Sequence, residues 1–167
     1  AILSTRSRAR IKEIEVIFNP DERAYLYGDE ELITLLLVNI LENAIKASFS
    51  RGKVQIILQT QNNAVSQVTI QDFGRGIPQS EVNKIFQPFY MLHKGEGFLE
   101  NGLGLGLATC QSIATAHHCA IKVDSQVGEG TCVQIEFPVS EYLSRNAAEH
   151  APLDHSDPQC NMILIQP

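Results

Sequence analysis

KVQIILQT at residues 53–60, VSQVTIQD at 65–72 and FGRGIP at 73–78 form the run that decides the fold. The first two pieces carry apolar residues at strand spacing and flank a polar turn at Asn62-Asn63, which is a hairpin signal. A glycine cluster follows the second strand directly. Along the whole chain such hairpins outnumber β-α-β crossovers, which argues against a doubly wound sheet.

Downstream, a short helix is expected at 78–84. Residues 86–103 then carry Gly95, Gly97 and Gly102 without a clear period, and a loop of that length inside one domain is usually functional or disordered. Helical spacing returns over 104–118 through Leu107, Cys110, Ile113 and Ala114. Strands are expected at 120–125 and 131–137 around the turn Gly128-Glu129-Gly130. Upstream, a helix is expected over 30–49, with Asp29 as its cap and Glu30 and Glu31 in the first turn. Its apolar stripe reads as Leu32, Leu35, Leu36, Ile40 and Ala47, and Ser50-Arg51-Gly52 ends it. Short strands at 14–18 and 24–27 flank a turn cluster at 19–22. The sum is an α+β fold, a two-layer α/β sandwich whose mixed, mostly antiparallel sheet carries helices on one face. Its domain spans 13–139. Residues 1–12 read as a linker or the end of a preceding helix, and 140–167 as a polar, mobile tail. The apolar run 162–165 in that tail reads as a docking strand, the start of a further domain, or a remnant.

A chain of 167 residues can bury one ordinary core. With 44% hydrophobic and 19% charged residues it is expected to be globular. A net charge of -6 disfavours a protein that grips nucleic acid or anionic membrane, so any phosphate must be held by a few placed groups. Cys110, Cys119, Cys132 and Cys160 make no metal-like pattern and read as small apolar fillers in a reducing, cytoplasmic compartment. No apolar stretch is long enough to span a bilayer, although a parent chain could be anchored elsewhere.

Three features carry chemistry. Asp72-x-Gly74-x-Gly76 closes a strand with one carboxylate and a backbone that a flat ligand can approach; alone it is equally a glycine turn. Gly102-Leu103-Gly104-Leu105-Gly106 opens a helix, where free N–H groups favour anions, though a simple hinge would look the same. Asn39, Asn43 and Lys46 fall within roughly 60° on one helix face, with Glu42 roughly 60° off that stripe. A solvated polar face is the plain alternative. The sharper one is an amide ligand for Mg²⁺ and a cation for phosphate.

Taken in order, Asn39-x-x-x-Asn43-Ala44, Asp72-x-Gly74-x-Gly76, Ile85-Phe86-Gln87-Pro88-Phe89, Gly102-x-Gly104-x-Gly106-Leu107 and Gly128-Glu129-Gly130-Thr131 resemble the sensor histidine kinase catalytic domain, a member of the Bergerat-fold (GHKL) superfamily. The resemblance spans residues 27–138. It implies ATP and Mg²⁺ as cofactors, with Asn43 on the metal, Asn39 at metal or phosphate and Lys46 at phosphate. It implies that Asp72 reads the adenine amine with Thr131 nearby through water. Gly74, Gly76 and Ile77 would line the adenine pocket, and Gly102, Leu103, Gly104, Leu105 and Gly106 would hold phosphates. Residues 86–103 would be the lid, with His93 or Lys94 reaching the γ-phosphate. Asn39, Glu42, Lys46 and Lys94 are the candidate catalytic residues, with Glu42 placed to assist a proton transfer. Hydrolytic members of the superfamily carry a glutamate where this chain has Asn39, and an amide cannot act as a general base. The partners implied are a histidine-bearing dimerisation domain and a response regulator. The isolated domain is expected to be a monomer and its parent a homodimer. None of His93, His117, His118, His150 and His155 sits in the family's acceptor context, so this chain is expected not to phosphorylate itself. His117 and His118 read as imidazolium groups favouring a helix end. A serine kinase of the anti-sigma type and a nucleotide-binding pseudokinase share the pattern and remain open at this point.

Overall fold

The computed structural model describes residues 9–18, 24–61, 64–92, 103–138 and 162–165. Seven strands are found among them: β1 (Glu15–Phe18), β2 (Ala24–Tyr27), β3 (Lys53–Gln61), β4 (Ala64–Asp72), β5 (Ala120–Gln126), β6 (Gly130–Glu136) and β7 (Met162–Ile165). The helices are α1 (Glu30–Ala47), α2 (Gln79–Val82) and α3 (Gly106–Ala116). Five strands run in the order β1-β3-β4-β6-β5, antiparallel except for β1 beside β3. β2 joins through one parallel bridge, Tyr25 to Ala64, and β7 lies antiparallel to β2. The run at 162–165 is therefore a strand docked on this sheet.

Alternation along the strands puts Val54, Val68, Ile70 and Ile135 on one buried face. α1 and α3 cover that face with Ile33, Leu36, Ile40, Ile45, Cys110 and Ala114. The core is thus one contiguous layer between sheet and helices, as the α+β sandwich requires. The cysteine thiols behave as fillers. Burial pushes Cys110 and Cys119 up to about 12, and burial with the nearby Asp124 and Asp72 charges also raises Cys132. Cys160 lies outside the described residues.

α1 is rotated from its expected phase. Leu32 and Leu35 are 39% exposed, while Ile33, Ala44 and Ile45 are buried beside Leu36 and Ile40. The helix is apolar nearly all round, so periodicity fixes its phase poorly. Its start is as expected: the Asp29 carboxylate accepts from Leu32 N at 2.9 Å, with Glu30 and Glu31 following. Its end is held by two cations. Lys12 Nζ donates to the carbonyls of Ile45, Lys46 and Ser48 at 3.2, 2.7 and 3.1 Å. Arg75 donates through Nη2 to Lys46 O at 2.9 Å and through its backbone N to Ala47 O at 3.2 Å. These are the carbonyls a helix end leaves unpaired, at the negative end of its dipole.

His117 departs from the imidazolium reading. Its Nε2 accepts from Asp29 N at 3.2 Å, and its Nδ1 lies 2.9 Å from Ile113 O. A nitrogen that accepts needs a lone pair, so the ring is neutral with its proton on Nδ1. It ties the end of α3 to the start of α1. His118 follows with φ 54°, the left-handed conformation that ends helices and suits glycine. His118→Gly should raise unfolding stability by about 0.5–1 kcal/mol, because the left-handed strain exceeds the entropy glycine adds to the unfolded chain. Urea titration reads the change; equal or lower stability would refute strain at this position.

Candidate functional site

A cavity of about 630 Å³ opens between α1, the sheet and the start of α3. Its floor is the buried face of the sheet, through Ile70, Val123 and Val133. One wall is the polar stripe of α1, where Asn39, Glu42, Asn43 and Lys46 all line the cavity. That stripe explains the phase of α1, since the amides face the cavity only if Ile33, Leu36 and Ile40 face the core. Glu42 and Lys46 form an i, i+4 ion pair at 3.8 Å, partly open to solvent.

At one end sits Asp72, at the close of β4 and only 3% exposed. Burial pushes its carboxyl pKa up. Hydrogen bonds from the backbone N–H groups of Gly74 and Thr131, and then the Arg75 charge, oppose that rise. Gly74 N donates to Asp72 Oδ1 at 2.9 Å. The result is a carboxylate set among apolar side chains, facing the cavity and held from behind by its own loop. Thr131 lies beside it on β6 in direct register and also lines the cavity.

The glycines divide the work. Gly76 lines the cavity with φ 64°, and a Cβ there would overlap Gln126 O. Gly74 is not part of the lining. A Cβ there would overlap the Ala47 carbonyl, so glycine lets the loop pack against the end of α1. Ile77 lines the cavity.

At the other end are Leu103, Gly104, Leu105 and Gly106. α3 starts here with Leu105 as its N-cap, which gives no side-chain hydrogen bond to the first N–H groups. Such a start presents donors and the positive end of a helix dipole. A Cβ on Gly106 would lie 3.5 Å from Asn39 Oδ1, so α1 and α3 meet here face to face. Phe89 N donates to Gly104 O at 3.0 Å, which pins together the two ends of the intervening segment. His93, Lys94 and Gly102 lie outside the described residues, as does most of the expected lid.

Sequence reasoning missed several lining residues. Tyr90, Met91, Leu92 and Ile85 form a side wall. The segment 79–90 is not one helix to residue 84, because α2 stops at Val82 and tight turns follow, closed by Gln87 N to Lys84 O and Tyr90 N to Gln87 O. Ile70, Val123 and Val133 were legible from alternation, since each shares a strand face with Asp72, Ser125 or Thr131. Among the described residues, no cluster of three or more His, Cys, Asp and Glu could hold a metal. No described helix is long and apolar enough to cross a membrane.

Residues 28–141 match the family model described as "Histidine kinase-, DNA gyrase B-, and HSP90-like ATPase". The chain is 38% identical over 120 residues to the adaptive-response sensory kinase SasA of Gloeothece citriformis, covering 72% of this chain and 30% of that protein. It is 33% identical over 138 residues to SasA of Crocosphaera subtropica, covering 83% and 34%. The chain therefore spans about a third of the curated relatives it matches. Among solved structures, it resembles the mycobacterial sensor histidine kinase MprB at a TM-score of 0.63 and 26% identity, covering 82% of this chain and 91% of that one. It resembles the catalytic domain of histidine kinase ThkA at a TM-score of 0.63 and 27% identity, covering 81% and 86%. With a glycine-rich cavity of this shape and a family match over most of its length, the chain belongs to the histidine kinase-, DNA gyrase B- and HSP90-like ATPase family, as a catalytic domain of the histidine kinase kind.

Proposed function

We propose that the cavity binds ATP with Mg²⁺, base toward Asp72 and Thr131 and phosphates toward the start of α3. The γ-phosphoryl group then passes to a histidine on a separate helical dimerisation domain, from which a response regulator takes it. One observation carries this reading. A single cavity holds a buried carboxylate at one end and, at the other, two amides beside a helix start whose N-cap, Leu105, offers no side-chain hydrogen bond.

Each end suits its half of the ligand. Asp72 offers an ionisable acceptor to an exocyclic amine, and Ile70, Val123 and Val133 offer an apolar surface to a purine ring. The N–H groups of Gly106 and Leu107 offer donors to phosphate, and Lys46 offers charge. The donor set fits Mg²⁺ bound chiefly by phosphate and water, because Asn43 contributes a neutral hard oxygen and no acidic cluster competes among the described residues. When bound, the ion would neutralise charge on the phosphates as the γ-group leaves. Phosphoryl transfer asks the protein for positioning and charge neutralisation more than for covalent chemistry. Asn39 supports transfer over hydrolysis, since an amide cannot activate water as a base. Glu42, on the same wall, is proposed to assist the proton transfer at the acceptor.

His117 is a poor acceptor, because both ring nitrogens are engaged within the fold. Incubation with γ-labelled ATP should therefore leave no label on this chain; retained label would overturn the separate acceptor. Asn43→Ala should lower ATP affinity in Mg²⁺ by about tenfold, with little change when the metal is chelated. Affinity equal to the parent's in titration calorimetry would remove Asn43 as the metal ligand. Asp72→Asn separates binding from stability. The folded-state pKa of Asp72 is raised, so its contribution to stability is fullest at low pH and declines as pH rises through that pKa. The variant should match or exceed the parent's stability at neutral pH, with the difference fading toward pH 4. Its ATP affinity should fall at least about tenfold. Retained affinity would sink the adenine assignment.

A further inference from the structure

Ser125 lies at the end of β5, 9% exposed, directly opposite Thr131 in the β5–β6 register. Its hydroxyl oxygen makes three contacts. It lies 2.8 Å from Ile77 N, 2.9 Å from Gly130 O and 2.9 Å from Thr131 Oγ1. Ile77 N can only donate and Gly130 O can only accept. A serine hydroxyl has one proton.

These facts determine where both hydroxyl protons go. If Ser125 donated to Thr131, its oxygen and Gly130 O would be two acceptors facing each other at 2.9 Å. If Ser125 donates to Gly130 O, it accepts from both Ile77 N–H and Thr131 Oγ1–H, and all three contacts are satisfied. In the second arrangement Thr131 has spent its only proton on Ser125. It can then offer only lone pairs to the cavity it lines beside Asp72.

We infer that Ser125 is a positioning residue that makes Thr131 an obligate acceptor and so sets the purine specificity of the site. The inference rests on the nucleotide reading above. An amino group on the purine six-membered ring carries two N–H donors and meets two acceptors directly, Asp72 and Thr131. A carbonyl at the same place brings a third acceptor against those two and is rejected. Sites built to pair a substrate N–H discriminate strongly, because a mismatch leaves buried polar groups unpaired. The same serine anchors Ile77 N, so the loop below the base and the polarity of Thr131 are set by one atom.

The test compares ATP with inosine triphosphate, which replaces the amine by a carbonyl. Both are titrated calorimetrically into the 167-residue chain with Mg²⁺. The parent should prefer ATP. Ser125→Ala frees the Thr131 hydroxyl to turn its proton into the cavity, and the ATP preference should shrink about tenfold. Ser125→Thr keeps the hydroxyl and should keep the parent's ratio. A merely structural serine would lower both affinities together and leave the ratio unchanged, which would overturn the inference. If Ser125→Ala does not fold, Thr131→Val should show the same loss of preference, and an unchanged ratio there overturns it equally. A parent that binds ATP without preferring it refutes the role of Ser125 alone. A parent that binds neither nucleotide removes the nucleotide site, and this inference falls with it.

Discussion

Keeping a carboxylate at the bottom of an apolar cavity is the constraint on which the rest of this structure depends. Asp72 is nearly inaccessible, and burying its charge is unfavourable unless donors surround it. The loop that follows supplies them. Gly74 turns its N–H back onto the carboxylate, and it can do so because it lacks a side chain that would strike Ala47. Arg75 adds charge nearby while it also caps α1. The wall that carries the amides and the floor that carries the carboxylate are therefore joined at one place. A change in the loop moves both.

The main features were legible in the sequence for a physical reason. Period-2 alternation at 53–60 and 65–72 has only one good solution, a hairpin with one buried face, and the structure has it. The α+β sandwich followed from that hairpin and the two long helical patterns. The glycine boxes and the amide stripe pointed to a cavity, and Asn39, Asn43, Lys46, Asp72, Gly76, Gly104, Gly106 and Thr131 do line one.

What could not be read depends on contacts between distant segments. The phase of α1 was ambiguous because Leu32, Leu35, Ile33 and Leu36 are equally apolar, and only the sheet beneath decides among them. Gly74 looked like a pocket residue, but its reason for being glycine is the helix end against which it packs. His117 looked like a cation at a helix terminus until a backbone N–H from another helix was found to occupy its second nitrogen. Ser125 carried no signal, since a serine in a strand is unremarkable until its three partners are known.

The pairing of β2 with β7 has a consequence of a different kind. Both strands have four residues, they come from opposite ends of the chain, and a single bridge fastens β2 to β4. Pairing across so long a stretch of chain closes a large loop, whose entropy cost must be met before the contacts form. One bridge holds β2 to β4 where eight residue pairs join β3 to β4, so the backbone amides of the β2–β7 corner should exchange with solvent before those of β3 and β4. The cavity draws none of its lining from β2 or β7, so loosening of that corner would leave the lining residues in place.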